Sequence, residues 1–126
     1  MLDHLRRRAE QALAQATQAM LITSGAAGLQ ASAWPCEARG LRLFLLVPTR
    51  SDHVLNLEAR AEVVIAADHW RLEGRADRSP ADAAQDLSLQ QLPEARWSLV
   101  IVVRPERLHL LRPTGWGDCE TLLIDE

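Results

Sequence analysis

The sequence predicts a mainly β fold, a small antiparallel β-barrel with peripheral helices. Three observations lead there. Short apolar or alternating runs recur along the chain, separated by brief turn signals rather than by long helical crossovers. The run Trp70 to Ala76 alternates cleanly, with Trp70, Leu72, Gly74 and Ala76 on one face and Arg71, Glu73, Arg75 and Asp77 around the other, as in a half-buried antiparallel strand. So many strands in 126 residues leave exposed edges unless the sheet closes on itself.

Taken in order, residues 3 to 19 place Leu5, Ala9, Ala12, Leu13 and Ala16 at the three-and-four spacing of one helical face, with Asp3 as N-cap. This is a surface helix over one end of a sheet. Met20 to Ser24 is a short apolar strand stopped by Ser24-Gly25. Gln30 to Cys36 follows, with Ala31 and Ala33 on one side and Gln30, Ser32 and Trp34 on the other. Leu41 to Val47 hairpins back across Gly40, and Ser51 or Thr49 caps a short helix to about Glu58. Glu62 to Ala67 reads as a central strand. Ser79-Pro80 with Asp82 starts a helix expected to run to Leu92, before Pro93. Trp97 to Val103 is the next strand, ended by Arg104-Pro105, and Glu106 to Arg112 returns as its hairpin partner. Thr121 to Ile124 forms a last strand. Gly74, in mid-strand, marks a bulge or a close backbone approach.

The length suits one domain, residues 1–126, with a helix over 1–19 and a barrel with two further short helices over 20–126. Apolar residues make up 48% and the net charge is −3, which argues against a nucleic-acid or membrane-surface role. All 14 basic residues are arginine, so lysine Schiff-base chemistry and a Walker-type phosphate loop are excluded. Cys36 and Cys119 are far apart and read as buried thiols in a reducing compartment. No apolar stretch is long enough to span a membrane and no signal-peptide core opens the chain, so a cytoplasmic location is expected. The four histidines show no metal-ligand spacing.

One stretch draws attention as a site. Leu41 to Leu57 is a strand that stops at Pro48 and hands over to a helix near Ser51. Such a turn aims backbone N–H groups and the Arg50 guanidinium at one region, an arrangement suited to an anion. The plainer alternative is an ordinary connection with a solvated Arg50. The small side chains Ala31 and Ala33 leave room for something flat, or are pressed by a helix. Among the tryptophans, core or interface packing suits Trp97, and Trp116, between two glycines, is the better candidate for a cofactor or dimer contact.

The ordered series of these pieces resembles one family. Ala-Met-Leu-Ile-Thr-Ser, Gly-Leu-Gln-Ala-Ser-Ala-Trp-Pro, Gly-Leu-Arg-Leu-Phe-Leu-Leu-Val-Pro, the Asn56-Leu57 to Val63-Val64-Ile65 segment and Trp70-Arg-Leu-Glu-Gly-Arg-Ala76 together look like the pyridoxamine 5′-phosphate oxidase-like flavoproteins. The resemblance covers roughly residues 10 to 112 and implies the antiparallel split barrel of FMN-binding type. It further implies a homodimer with FMN at the interface, and two-electron transfer to or from a small molecule. The phosphate would rest on Thr49, Arg50, Ser51 and His53. The isoalloxazine would lie across Ser32, Ala33 and Trp34 and the neighbouring Leu45, Leu46 and Val47, with Trp116 as a further contact. One departure stands out: Ser51-Asp52-His53 occupies a place where the family pattern often carries Ser-Arg-Lys. An inward Asp52 repels a dianion, and histidine is mostly neutral near pH 7. Two other classes therefore stay open. One is a split barrel holding haem or a deazaflavin in the same slot, with His53 or His109 as axial ligand. The other is a cofactor-less dimer acting as an interaction module.

Overall fold

The computed structural model describes residues 2–111 and 119–124. Two α-helices and seven strands appear in it: α1 (Leu2–Gln15), β1 (Gln18–Thr23), β2 (Gln30–Arg39), β3 (Arg42–Pro48), α2 (Asp52–Ala59), β4 (Glu62–Ala66), β5 (Trp70–Arg78), β6 (Ser98–Leu111) and β7 (Cys119–Leu123). All pairings are antiparallel, in the order β3-β2-β1-β4-β5-β6-β7, and β3 also pairs with β6. That extra pairing closes six strands into a barrel. The fourteen-residue β6 serves two neighbours along one edge: Ser98–Val103 pairs with β3, and Arg107–Leu111 pairs with β7. The sheet divides there, as a split barrel requires.

The barrel interior holds Leu21, Leu43, Leu45, Ile65, Leu72 and Leu108, all fully buried. Ala9 and Leu13 of α1 join this core, where the helix packs against β2 and β7. The helix stops at Gln15 rather than near 19, because Gln18 already pairs with Pro35 in the sheet, and Asp3 lies inside its first turn instead of capping it. Arg39 and Arg42 face each other across a two-residue turn in which Gly40 takes φ 61, the conformation that makes glycine the natural first residue of a hairpin turn.

Two further expectations need correction. The helix expected from Ser79 to Leu92 is a strap of turns over 81–86 and two short 3-10 segments, Ser88–Gln91 and Pro93–Trp97. Ala84, Leu87 and Leu89 are buried from it, together with Phe44, Leu46, Val100 and Val102, on the outside of β3 and β6. Buried residues two and three apart suit a tight strap rather than a 3.6-residue helix. The cover also explains why β3 is a continuous apolar run, since both its faces are buried.

The hairpin expected at Arg104-Pro105 is one uninterrupted strand. Opposite it, the register slips between Glu73 and Gly74: Glu73 faces Arg107, whereas Gly74 faces Pro105. Glu106 is the extra residue of a bulge, and a bulge tolerates a residue that lacks an N–H. The bulge read from Gly74 is thus real, and it is what lets Pro105 stay within the strand.

No helix among the described residues is long and apolar enough to cross a membrane.

Candidate functional site

The helix α2 sits at one end of the barrel and sends two polar side chains inward. His53 and Asn56 are three residues apart, hence on one helical face, and both are buried. His53 Nδ1 lies 2.8 Å from Thr23 Oγ1 and its Nε2 lies 2.7 Å from Ser32 Oγ. Asn56 Nδ2 donates to Thr23 Oγ1 at 3.1 Å and to the Gly28 carbonyl at 2.8 Å, while its Oδ1 accepts from Ala27 N at 2.9 Å. The directions follow from counting protons. Thr23 Oγ1 already accepts from Asn56, so its own buried proton goes to His53 Nδ1, and His53 then donates from Nε2 to Ser32. The ring is neutral in this arrangement. Trp34 meets it edge-on at 6.3 Å, with its own Nε1 buried and lacking an acceptor among the described residues.

Burial pushes the His53 imidazole below its ordinary 6.5, against the opposing pull of Asp52. The unfolded chain therefore takes up a proton near 6.5 while the folded one still resists. Stability from this residue is complete above that pH and declines as pH falls from about 6.5 toward the lower folded value. The urea midpoint should drop between pH 7.5 and pH 5 by more in the native protein than in His53→Gln. Equal drops would remove His53 as the cause.

The turn between β3 and α2 is largely self-satisfied. Thr49 N and Thr49 Oγ1 both donate to the Trp97 carbonyl at 3.0 Å. Ser51 is the N-cap: its Oγ accepts from His53 N at 3.1 Å, and its carbonyl accepts from Val54 N at 3.0 Å. Arg50 is exposed, and among the described residues no acid or acceptor engages it. Beside it stands the exposed carboxylate of Asp52. A phosphate dianion here would find the Thr49 donors and both His53 ring nitrogens already committed, and the Arg50 guanidinium, the Ser51 hydroxyl proton and the Arg50 and Asp52 N–H groups still to offer. The Asp52 carboxylate in that set opposes a dianion.

The slot expected for the ring is divided by the pleat. Ser32 and Trp34 face Leu21 and Ala19 across the β1–β2 ladder and point into the barrel end. Ala33 points out. Val47 belongs to the barrel core and Leu46 lies beneath the strap, so the two cannot share one slot. Trp97 is 59% exposed rather than packed in the core, being the last residue of a 3-10 segment. Cys36 is buried and its thiol is pushed up to about 11 by that burial, whereas Cys119 is exposed on β7. Trp116 lies outside the described residues. His109 is held between Glu73 Oε2 and Thr121 Oγ1, each at 2.9 Å.

Outside the barrel the same strands build a different feature. Met20 faces Ala33 on one side and Ala66 on the other, and Ile22 faces Ala31 and Val64. These side chains form an apolar floor on the outer face of β1, β2 and β4, with Met20 43% exposed. Over part of it opens a cleft of about 910 Å³, walled by Ala12 in α1 and Ala16 just after it, by Asp68, His69 and Trp70 in the β4–β5 hairpin, and by Leu92 and Glu94 of the strap. Of the described residues expected in the site, only Ala33 lines it. Sequence reading missed Met20, Ala66, Asp68 and His69 as neighbours of Ala33. It also missed Asn56, whose spacing from His53 was the available signal.

No family model matches the sequence, and no curated protein matches it. Solved structures do share the fold. General stress protein 26 from Bacillus anthracis aligns with a TM-score of 0.73 at 15% identity, over 96% of this chain and 99% of that one. A Clostridium acetobutylicum protein related to general stress protein 26, of the pyridoxinephosphate oxidase family, gives 0.73 at 14% identity, over 97% and 96%. A haem-binding protein from Mycobacterium smegmatis gives 0.68 at 18% identity, over 94% of this chain and 56% of that one.

Proposed function

Because this chain has the split-barrel fold of the pyridoxamine 5′-phosphate oxidase-like proteins, we propose that it binds a flavin-class planar ring in the cleft over β1, β2 and β4, as one half of a homodimer. The observation that carries this reading is the floor: Ala33, Met20 and Ala66 stand side by side on three paired strands. Small side chains let a flat ring approach the backbone closely, and the cleft volume suits a cofactor-sized ligand. Nearby Ile22, Ala31 and Val64 extend the apolar face beyond the cleft, and a second copy of the chain would cover it. A bound isoalloxazine would supply two-electron redox chemistry. This chain's residues would hold the ring flat and keep water from its buried face.

The test is quenching of flavin fluorescence by the purified protein, with light scattering for mass. Saturable quenching by a species of twice 14.0 kDa is expected. Ala33→Phe fills the floor at an exposed position, so it should weaken ring binding at least about tenfold without lowering the melting temperature. Full affinity in that variant, or a monomer that binds equally well, would refute the reading.

One observation favours a second reading, haem in the same cleft. The two histidines expected as axial ligands are already engaged, His53 by Thr23 and Ser32 and His109 by Glu73 and Thr121. His69, however, is exposed at the cleft wall near Met20. A Soret band on adding haemin, shifted in His69→Ala, would establish it.

A further inference from the structure

The charges around the cleft say which planar ligands it accepts. The chain has 14 arginines and no lysine, yet among the described residues no arginine lines the cleft. Two carboxylates do, Asp68 from the β4–β5 hairpin and Glu94 from the strap, and both are exposed. The one cation expected to hold a phosphate, Arg50, belongs to the β3–α2 turn, where Thr49 Oγ1 is bonded to Trp97, Ser51 Oγ caps the helix and both His53 nitrogens are taken. The apolar floor therefore suits a ring, while its surroundings disfavour an anionic tail.

We infer that the cleft selects planar ligands that are uncharged or cationic and discriminates against phosphorylated ones; the inference rests on the ring-binding reading above. A phosphate monoester carries roughly −1.5 to −2 charges at neutral pH. It is repelled by these two carboxylates, whose fields reach over a Debye length of about 10 Å at 0.1 M salt, and the guanidinium on the floor's face, Arg71 opposite Ala66 in the β4–β5 ladder, offsets only part of that repulsion. The same carboxylates attract a cationic heteroaromatic ligand. Discrimination of this kind is electrostatic, so it fades as salt is raised.

Riboflavin and FMN differ only in the phosphate and make the direct comparison, with the cationic acridine proflavine as a third probe. At about 20 mM salt, fluorescence titration of the full chain should give riboflavin at least about tenfold tighter binding than FMN, with proflavine no weaker than riboflavin. The riboflavin–FMN gap should shrink several-fold at about 0.5 M salt. The double variant Asp68→Asn/Glu94→Gln replaces two exposed side chains by near-isosteres. It should narrow the gap at low salt to within about threefold. FMN binding tighter than riboflavin, with that preference lost in Arg50→Ala, would overturn this inference and leave the ring-binding reading standing. No quenching of either flavin would overturn both. A riboflavin–FMN gap that persists unchanged at high salt or in the double variant would overturn the electrostatic cause, and the inference with it.

Discussion

Gly74→Ala is expected to lower folding stability by roughly 3–4 kcal/mol, a loss of the overpacking class. A Cβ built at Gly74 collides with the Arg104 carbonyl oxygen and lies 2.9 Å from Pro105 Cα and 3.0 Å from the Arg104 carbonyl carbon. Every one of these atoms is backbone, so no flexible side chain can yield. Relief requires β5 and β6 to part at the bulge, where Glu106 is already the extra residue. Such a shift would spread, because the Ser98–Val103 half of β6 closes the barrel on β3 and the Arg107–Leu111 half carries β7. Gly28→Ala serves as the control. Gly28 has φ 82 but no atom within 4 Å of the added Cβ, so only the left-handed backbone is penalised, by about 1–2 kcal/mol. Urea unfolding of both variants separates the two effects. Equal losses would mean that close approach at the bulge contributes nothing.

This bulge also shows where the sequence was legible and where it was not. Alternation is a local signal, and it placed Trp70, Leu72, Gly74 and Ala76 correctly on the buried face of β5. The glycine in that row announced the close approach. Pro105 was misread because a proline ends a strand only where the ladder needs its N–H, and that need depends on the partner strand. The strap over 79–97 failed for a related reason. Ser79, Pro80 and Asp82 are helix-start residues, yet they serve turns equally well, and what decided was the demand of β3 and β6 for an outer cover. At the site, Ser32, Ala33 and Trp34 were found as a group, but the pleat sends Ala33 to the cleft and the other two to the barrel end. The residues that share the cleft with Ala33 come from four separate segments, and only the strand order brings them together.

The companion prediction concerns Asn56, whose loss should cost about 3 kcal/mol, or roughly 10 °C in melting temperature for a chain of this size. Its side chain is fully buried and makes three hydrogen bonds, to Thr23 Oγ1, to the Gly28 carbonyl and from Ala27 N. Each partner lies in β1 or in the loop joining β1 to β2, so the amide fastens α2 to that loop. Gly25 allows the approach: a Cβ there would stand 3.0 Å from Asn56 Oδ1 and 3.1 Å from Asn56 Cα. Alanine at 56 would leave Thr23 without its donor, freeing that hydroxyl to accept from His53 instead of donating to it. The tautomer of His53 would then be unfixed, and Ser32 would lose a defined donor. Asn56→Asp sharpens the test, since a carboxylate keeps the acceptor for Ala27 N but cannot donate to Thr23 or Gly28. It should lose at least as much stability as alanine, with the loss shrinking at acid pH as the carboxyl regains a proton. An Asn56→Asp protein as stable as the parent at pH 7.5 would show that the donors, and with them the assigned direction of the Thr23–His53 hydrogen bond, do not hold α2 in place.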